Sequence, residues 1–146
     1  MSLLTSAVSM TKAMVQIDST DPGTYEKAMA DWIEQQLSDL SNVLITRENV
    51  LPGRPNLMAE IPGPKHLPAL VMICHMDTVV IGDGWTLPPF EAIEKDGKIY
   101  GRGACDMKSG LACCLSAFIM AARTLHDSNS SVLWMRKTLC AVLKPA

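Results

Sequence analysis

The sequence predicts an α/β fold, and three observations support that class. Residues 70–74 form a short apolar run with the length of a buried strand, and the polar residues His75 and Asp77 follow it directly. Residues 24–40 and 109–125 repeat apolar side chains at helical spacing. Polar residues at the end of a strand lie at the carboxyl edge of the sheet in such folds, so we expect a functional site there.

Composition narrows the class of protein. The 146 residues suffice for one domain with a core, and 48% hydrophobic with 19% charged residues is typical of a globular chain. A net charge of −2 argues against a nucleic-acid partner, and no apolar run approaches the ~20 residues of a membrane span. The N-terminus lacks a basic region before a long apolar block, so the cytoplasm is the expected location.

The elements before the site can be assigned in order. Residues 4–17 have helical spacing, and the polar stretch 18–23 interrupts the chain. An amphipathic helix is predicted over 24–40, with Thr24 as its N-cap. Two strands follow, at residues 43–45 and 56–61.

Beyond the apolar run, residues 90–100 predict two short strands joined by a turn at Asp96-Gly97. Trp85, in the preceding loop, is expected to pack over the edge of the site. The next predicted helix extends from Ser109 to about Leu125, with its apolar face toward the core.

His75 and Asp77 are candidates for a metal site. Residues two apart on a strand point the same way, so both side chains face one site while Met76 faces the core. Imidazole is a common zinc ligand, and a carboxylate often orients it through the other ring nitrogen. An ordinary hydrogen-bonded His and Asp pair in a core is the alternative.

Asp106 is the second candidate. Gly101 and Gly103 flank its turn and permit backbone angles that hold a carboxylate in an unusual position. A carboxylate can bridge two cations, although an Asp before a helix is more often a simple N-cap. Arg102 is expected either to bind the Asp106 loop or to lie on the surface, and Lys108 to be functional or exposed.

The odd number of cysteines, five, argues against a disulfide framework. Cys113 and Cys114 are interpreted as small core residues of the helix predicted from Ser109 to about Leu125. Cys74 and Cys105 each precede a candidate site residue and are expected to point away from it. A cysteine-dependent hydrolase using Cys105 or Cys74 is the rival hypothesis.

One combined motif resembles the co-catalytic zinc peptidase and deacylase family, which includes acetylornithine deacetylase, succinyl-diaminopimelate desuccinylase, aminoacylase and carboxypeptidase G. The resemblance spans about residues 8–133 and rests on Cys74-His75-Met76-Asp77-Thr78-Val79, Trp85, Pro89-Phe90, Asp96-Gly97-Lys98-Ile99-Tyr100-Gly101-Arg102-Gly103 and Asp106-Met107-Lys108-Ser109-Gly110. It implies the N-terminal portion of a three-layer zinc-hydrolase catalytic domain, with a mixed sheet flanked by helices.

The resemblance also implies roles and cofactors. His75 would bind one metal, Asp106 would bridge two, and Asp77 would act in catalysis by orienting His75. The peptide after Asp106 would be cis. A complete site would hold two Zn²⁺ ions, with Co²⁺ as a substitute, and would hydrolyse N-acyl amino acids or small peptides through a water held by both metals. A complete enzyme of this family would have no nucleic-acid or membrane partner, and a homodimer is compatible with it.

The resemblance stops after residue 133, so residues 1–133 are assigned to the catalytic domain and residues 134–146 to an atypical tail. The family has Asp-Glu-Glu near position 140, with a general base and a metal ligand, whereas this chain has no Asp or Glu after Asp127. Trp134 and Met135 have single codons that yield an Asp codon when read two bases out of frame. The tail is therefore either an out-of-frame translation or a coincidence.

The missing carboxylates lead to an expectation about activity. Two protein ligands are fewer than the three that catalytic zinc sites use, so we expect this chain alone to bind zinc weakly and to be inactive. A non-catalytic fragment or pseudogene product is the alternative interpretation.

Overall fold

A computed structural model describes residues 3–63, 69–127 and 136–142. The predicted boundary between residues 133 and 134 and the two ends of the tail, residues 134–135 and 143–146, lie outside these ranges. The helices are α1 Leu3–Val15, α2 Lys27–Leu37 and α3 Ser109–Asp127. An irregular turn at Ala104–Lys108, with non-helical backbone angles at Asp106 and Met107, leads into α3. The strands are β1 Thr20–Asp21, β2 Leu44–Leu51, β3 Arg54–Ile61, β4 Ala69–His75, β5 Thr78–Val79, β6 Ile93–Lys95, β7 Lys98–Tyr100 and β8 Arg136–Val142.

The main sheet has the order β2-β3-β8-β4. Its β2–β3 and β3–β8 pairs are antiparallel, and β8 lies parallel to β4, with Val142 opposite His75. The predicted α/β class with a mixed sheet is therefore confirmed. The assignment of 134–146 as a separate tail stays a prediction, although part of that segment forms β8 between two strands of the sheet.

The core lies between the helices and one face of this sheet. Its buried residues include Met29 and Ile33 from α2, Leu57 and Ala59 from β3, and Cys74 from β4, with Leu111, Leu115, Phe118 and Ala122 from α3. On the other face Met58, Val71 and Ile73 are exposed. The alternation along β3 and β4 follows from the period of two in a strand.

The predicted start of the second helix is wrong by three residues. The helix begins at Lys27 with Glu26 as a cap that makes no side-chain hydrogen bond, while the Thr24 hydroxyl donates to the Asp18 carbonyl oxygen at 3.0 Å. Tyr25 has a φ of 59°, a left-handed conformation that ends any helical path from Thr24. The strand predicted at 43–45 extends through Leu51, because it pairs with β3 along its length.

The helix α3 matches its predicted apolar face, with one exception. Cys113, expected in the core, is exposed because it lies off the stripe that Leu111 and Leu115 bury, whereas Cys114 packs against the core. By length and composition alone, Ala104–Thr124 would suffice to cross a membrane, but 39% of its most apolar window is buried inside the protein. Its buried residues belong to the core described above.

Candidate metal centre

The candidate site lies at the carboxyl end of β4. His75 is the last residue of that strand, Met76 is fully buried in the core, and Asp77 follows before β5 begins. His75, Asp77 and Asp106 line one cleft of about 300 Å³. The structure therefore brings the three predicted site residues together, and Met76 faces the core as the alternation predicts.

The imidazole of His75 lies between two oxygen acceptors. Its Nε2 is 2.9 Å from Asp106 Oδ1, and its Nδ1 is 3.0 Å from the backbone oxygen of Asp77. A neutral imidazole has one N–H and cannot donate to both oxygens. In the tautomer in which Nδ1–H donates to the Asp77 oxygen, the lone pair of Nε2 is directed toward the Asp106 carboxylate, and both groups are then available as ligands.

The spacing of these donors suits a shared cation. Two ligands at the usual zinc bond lengths and a tetrahedral angle lie about 3.3 Å apart. The 2.9 Å between His75 Nε2 and Asp106 Oδ1 differs from that by only a few tenths of an ångström. Across residues 3–63, 69–127 and 136–142, however, no group of three or more His, Cys, Asp or Glu residues could hold a metal. The fit is therefore to two protein ligands.

Asp77 contacts the ring by its backbone more closely than by its carboxylate. Its Oδ1 is 3.4 Å from His75 Nδ1 and is buried without a hydrogen-bond partner. A buried carboxylate oxygen is costly to leave unpaired, so a small rotation of the His75 ring that lets Nδ1–H donate to it is favourable. This geometry is compatible with the predicted orienting role of Asp77.

Asp106 lies in a turn shaped by glycine. Gly103 has a φ of 77°, and a Cβ atom there would lie 2.4 Å from Thr78 Cγ2, so no other residue fits without displacement. The Asp106–Met107 peptide is cis, as the family resemblance implies. The Asp106 side chain is 85% exposed and pairs with His75, whereas α3 begins three residues later at Ser109. The N-cap interpretation of Asp106 is therefore wrong.

Lys108 is buried, whereas the sequence predicted that it would be functional or exposed. Its Nζ donates to the Ile17 carbonyl oxygen at 2.7 Å, and the residue is 1% exposed. Burial lowers the pKa of Lys108 to about 8, an effect that the nearby Asp18 carboxylate partly offsets. The partner lies 91 residues away in sequence, so no local pattern signals this contact.

Arg102 binds the 80–89 loop rather than the Asp106 loop. Its guanidinium donates to the Ile81 carbonyl oxygen and lies 5.1 Å from the centre of the Trp85 ring. Trp85 donates to the same carbonyl oxygen at 2.8 Å and lines a neighbouring apolar groove instead of the His75 cleft. Arg102 therefore lines the His75 cleft but donates to Ile81, so neither the predicted bond to the Asp106 loop nor the surface alternative describes it. Trp85 lies in the groove beside the cleft, and the two share Gly101, Ala104 and Cys105.

The two cysteines next to the site differ. Cys74 is buried on the opposite side of β4 from His75, as expected. Cys105 is exposed and lines the same cleft as His75, so its expected orientation away from the site is wrong. The two ring nitrogens of His75 contact Asp77 and Asp106.

The described part of β8 ends level with the site. β4 and β8 are parallel, and Val142, the last residue of β8, pairs with His75 at the carboxyl edge of the sheet. The residues that follow in the sequence are Leu143, Lys144, Pro145 and Ala146, and none has a carboxylate or imidazole side chain. Their placement lies outside the described ranges.

Comparison with known proteins agrees with the resemblance seen in the sequence. Residues 71–135 match the model of the peptidase family M20/M25/M40. A probable succinyl-diaminopimelate desuccinylase of Staphylococcus epidermidis is 39% identical over 110 residues, which cover 73% of this chain and 25% of that protein. Succinyl-diaminopimelate desuccinylase of Sulfurimonas denitrificans is 33% identical over 125 residues, which cover 86% of this chain and 31% of the relative.

Solved structures share the fold. Human carnosine dipeptidase 1 has a TM-score of 0.68 at 23% identity, over 92% of this chain and 31% of that one. The di-peptidase Dug1p of Saccharomyces cerevisiae has a TM-score of 0.70 at 16% identity, over 95% of this chain and 32% of that one. This chain therefore spans about a quarter to a third of the length of the proteins it matches, and its fold is that of part of their catalytic domains.

Proposed function

From the premise that residues 71–135 belong to the peptidase family M20/M25/M40, we propose that this chain carries part of a metal-dependent centre that hydrolyses amide bonds. The observation that carries the proposal is the 2.9 Å contact between His75 Nε2 and Asp106 Oδ1 at the carboxyl end of β4. It joins an imidazole and a carboxylate from elements 31 residues apart in sequence.

Each residue has a role in this proposal. His75 binds one cation through Nε2, and Asp106 contributes a carboxylate that can bridge two cations. Asp77 holds the His75 ring in the tautomer with a free Nε2 lone pair, by accepting from Nδ1–H. Zinc bound there would polarise a substrate carbonyl and acidify a water molecule, and cobalt would be a substitute.

The proposed substrates are N-acyl amino acids or small peptides. The relatives named desuccinylases and the structures named dipeptidases support this class, although the acyl group and amino acid stay undetermined. Small polar substrates suit a cytoplasmic enzyme, and the net charge of −2 offers no surface for nucleic acid. A homodimer of a complete enzyme belongs to the proposal as well.

We further propose that these 146 residues do not suffice for turnover. Catalytic zinc sites use three protein ligands, and hydrolysis needs a group that moves the proton from water to the leaving amine. The part of the chain that the structure describes brings two ligands to the cleft, and no Asp or Glu follows Asp127 in the sequence.

The metal role can be tested without catalysis. Titrating the 146-residue protein with Co²⁺ and recording NMR spectra should first broaden or shift the backbone signals of residues that line the cleft, such as Val79 and Gly103. We expect His75→Ala and Asp106→Ala each to weaken this response at least tenfold. The matched control is His66→Ala, which removes an imidazole that the sequence places in a proline-rich turn and should leave the response unchanged.

The outcomes separate the hypotheses. A Co²⁺ response that persists in both variants would contradict the assignment of His75 and Asp106 as ligands. Stoichiometric zinc retained through gel filtration, or amide hydrolysis above background by the purified chain, would contradict its proposed incompleteness. If hydrolysis is detected and alkylation of Cys105 abolishes it, the cysteine-dependent alternative would be supported instead.

A further inference from the structure

One segment of the chain contacts both halves of the candidate site. Residues 17–20, which we call the bridging segment, connect the end of α1 to β1. Its backbone and side chains bind the residues around Asp77 on one side and the turn that carries Asp106 on the other. These contacts involve buried groups, which water cannot replace.

Toward Asp77, the contact is made by Ser19. The Ser19 hydroxyl donates to the Met76 carbonyl oxygen at 2.8 Å, and the Thr78 N–H donates to the Ser19 carbonyl oxygen at 3.0 Å. These two bonds flank Asp77 on either side, and Ser19 is fully buried. The neighbouring residue Thr20 pairs with Thr78 in the β1–β5 ladder.

Toward Asp106, the contact is made by Lys108. Its Nζ donates to the Ile17 carbonyl oxygen at 2.7 Å, and its backbone N–H donates to the Gly103 carbonyl oxygen at 2.9 Å. The aliphatic part of Lys108 also covers Gly103, since a Cβ atom on that glycine would lie 3.2 Å from Lys108 Cδ and Cε. Lys108 therefore holds both ends of the turn that contains Asp106.

We propose that Lys108 and Ser19 are positioning residues, which set the separation of His75 and Asp106 through the bridging segment. The turn at Ala104–Lys108 has no strand partner, and the Asp106 carboxylate is largely exposed. Besides the bond from Lys108 to Ile17, the His75 N–H donates to Met107 Sδ at 3.4 Å, a weak hydrogen bond. Gly103 packs on Thr78, and the Asp106 carboxylate contacts the His75 ring itself. Of these contacts, only the bond from Lys108 ties the turn to the bridging segment. The consequence for cation binding rests on the proposed function, but the separation itself does not.

A purely structural role for Lys108 makes a different prediction. A buried long side chain could stabilise the fold by packing alone, and then methionine would replace it with little change at the site. If the ammonium positions the turn, methionine fills the space but cannot donate to Ile17. In that case the Asp106 carboxylate loses its fixed place beside the His75 ring even where the protein stays folded.

The test measures the contact between His75 and Asp106 without any metal. In the otherwise unchanged chain, Asp106→Asn should shift the ¹⁵N resonance of His75 Nε2 at fixed pH, because it removes the charged acceptor. In the Lys108→Met background, we expect the same substitution to produce less than half of that shift. Lys12→Met is the control, since it removes an exposed lysine that contacts Glu94 at the surface.

Ser19→Ala tests the other end of the bridging segment and serves where Lys108→Met does not fold. It should also reduce the effect of Asp106→Asn at His75 by half or more. Its control is Ser116→Ala, which removes another buried hydroxyl, one that contacts Met10 Sδ far from the site. The Lys12 and Ser116 variants should preserve the full shift.

A full Asp106→Asn shift in the folded Lys108→Met or Ser19→Ala protein would overturn the proposal. This readout is separate from the cobalt titration. Suppose that the chain binds no Co²⁺, but that the effect of Asp106→Asn on the His75 resonance is reduced in Lys108→Met as expected. The positioning role would then stand, and the metal role would be refuted. The reverse result would refute only the positioning role.

Discussion

The two halves of the candidate site are held in different ways. His75 and Asp77 lie at the end of a seven-residue strand that pairs with β8, and β5 pairs with β1 directly after them. Asp106 lies in a glycine-flanked turn that is joined to the other half by side chains: the Lys108 ammonium, the Met107 sulfur and the Asp106 carboxylate itself. The side chain of His75 is 25% exposed and that of Asp106 is 85% exposed.

This difference indicates where the geometry of the site is sensitive. Many backbone hydrogen bonds hold a strand in its sheet, so a single side-chain substitution seldom moves the end of the strand. A turn with few contacts depends on each of them. We therefore expect substitutions near the His75 half to change stability with little local displacement, and substitutions near the Asp106 half to change the position of the carboxylate.

The largest predicted loss of stability lies on the His75 side. Arg54 donates to Glu26 and to Asp21, each at 2.6 Å, and Glu26 is fully buried. The hydrogen bond to Glu26 outweighs desolvation and raises the pKa of Arg54 above its usual value. Glu26→Gln should lower the free energy of unfolding by about 3 kcal/mol, because it removes the buried carboxylate that is the main counter-charge of the partly buried Arg54.

Urea unfolding measures this loss. Glu34→Gln is the control, since Glu34 contacts Arg47 near the surface and its loss should cost less than about 1 kcal/mol. The His75 signals of folded Glu26→Gln should match those of the unsubstituted chain. If both variants lost the same free energy of unfolding, the Glu26–Arg54 pair would stabilise the fold no more than a surface pair does.

A smaller loss of stability, with a larger local effect, is predicted for Gly103→Ala. The positive φ of Gly103 costs an L-residue about 1 kcal/mol, and the contact of the new Cβ with Thr78 Cγ2 at 2.4 Å adds a similar amount. Gly97→Ala separates the cost of the positive φ from the cost of the close contact. Gly97 has a φ of 70°, but no atom lies within 4 Å of an added Cβ.

Chemical denaturation and the His75 ring resonances measure both effects. Gly103→Ala should lower stability by about 2 kcal/mol and shift the His75 signals, while Gly97→Ala should lose about 1 kcal/mol without that shift. The two variants would behave alike if the turn adapted freely to the new methyl group. That result would contradict the close packing of the Asp106 turn against Thr78.

The sequence allowed the His75 half to be predicted more fully than the Asp106 half. The apolar run before His75 and the alternation that buries Met76 are local patterns, and they identified β4 correctly. The glycines beside Asp106 indicated a special turn, and the family motif indicated its cis peptide. The burial of Lys108 could not be inferred, because its partner Ile17 is brought near only by the packing of α1 against α3.

Two other errors also involve polar contacts that periodicity does not predict. The predicted start of α2 is wrong because Tyr25 is left-handed and Thr24 bonds back to Asp18 instead of capping the helix. For Arg102 the sequence left the Asp106 loop and the surface as alternatives, whereas the 80–89 loop provides both a carbonyl acceptor and the Trp85 ring. Periodicity predicts which face of an element is buried, but it does not predict which distant polar group a side chain will meet.

The smallest predicted effect concerns pH and the bridging segment between the two halves. Burial alone would raise the pKa of Asp18, but hydrogen bonds from Thr20 and Thr24 and the charge of Lys108 together lower it below its usual 3.8. The stabilisation that Asp18 provides is therefore present above pH 3.8 and is lost as the pH falls through the lower value of the folded state.

Asp18→Asn should cost less than about 1 kcal/mol at pH 7, since the amide oxygen can still accept from the Thr20 N–H. Urea unfolding at pH 5 and at pH 2.5 should show a smaller decline for the variant than for the unsubstituted chain, because one acid-sensitive group has been removed. The His75 resonances should change less in this variant than in Lys108→Met, since Asp18 acts on the bridging segment without bonding to the Asp106 turn. Equal acid sensitivity of the two proteins would mean that the hydrogen bonds of Thr20 and Thr24 do not stabilise the charged form of Asp18.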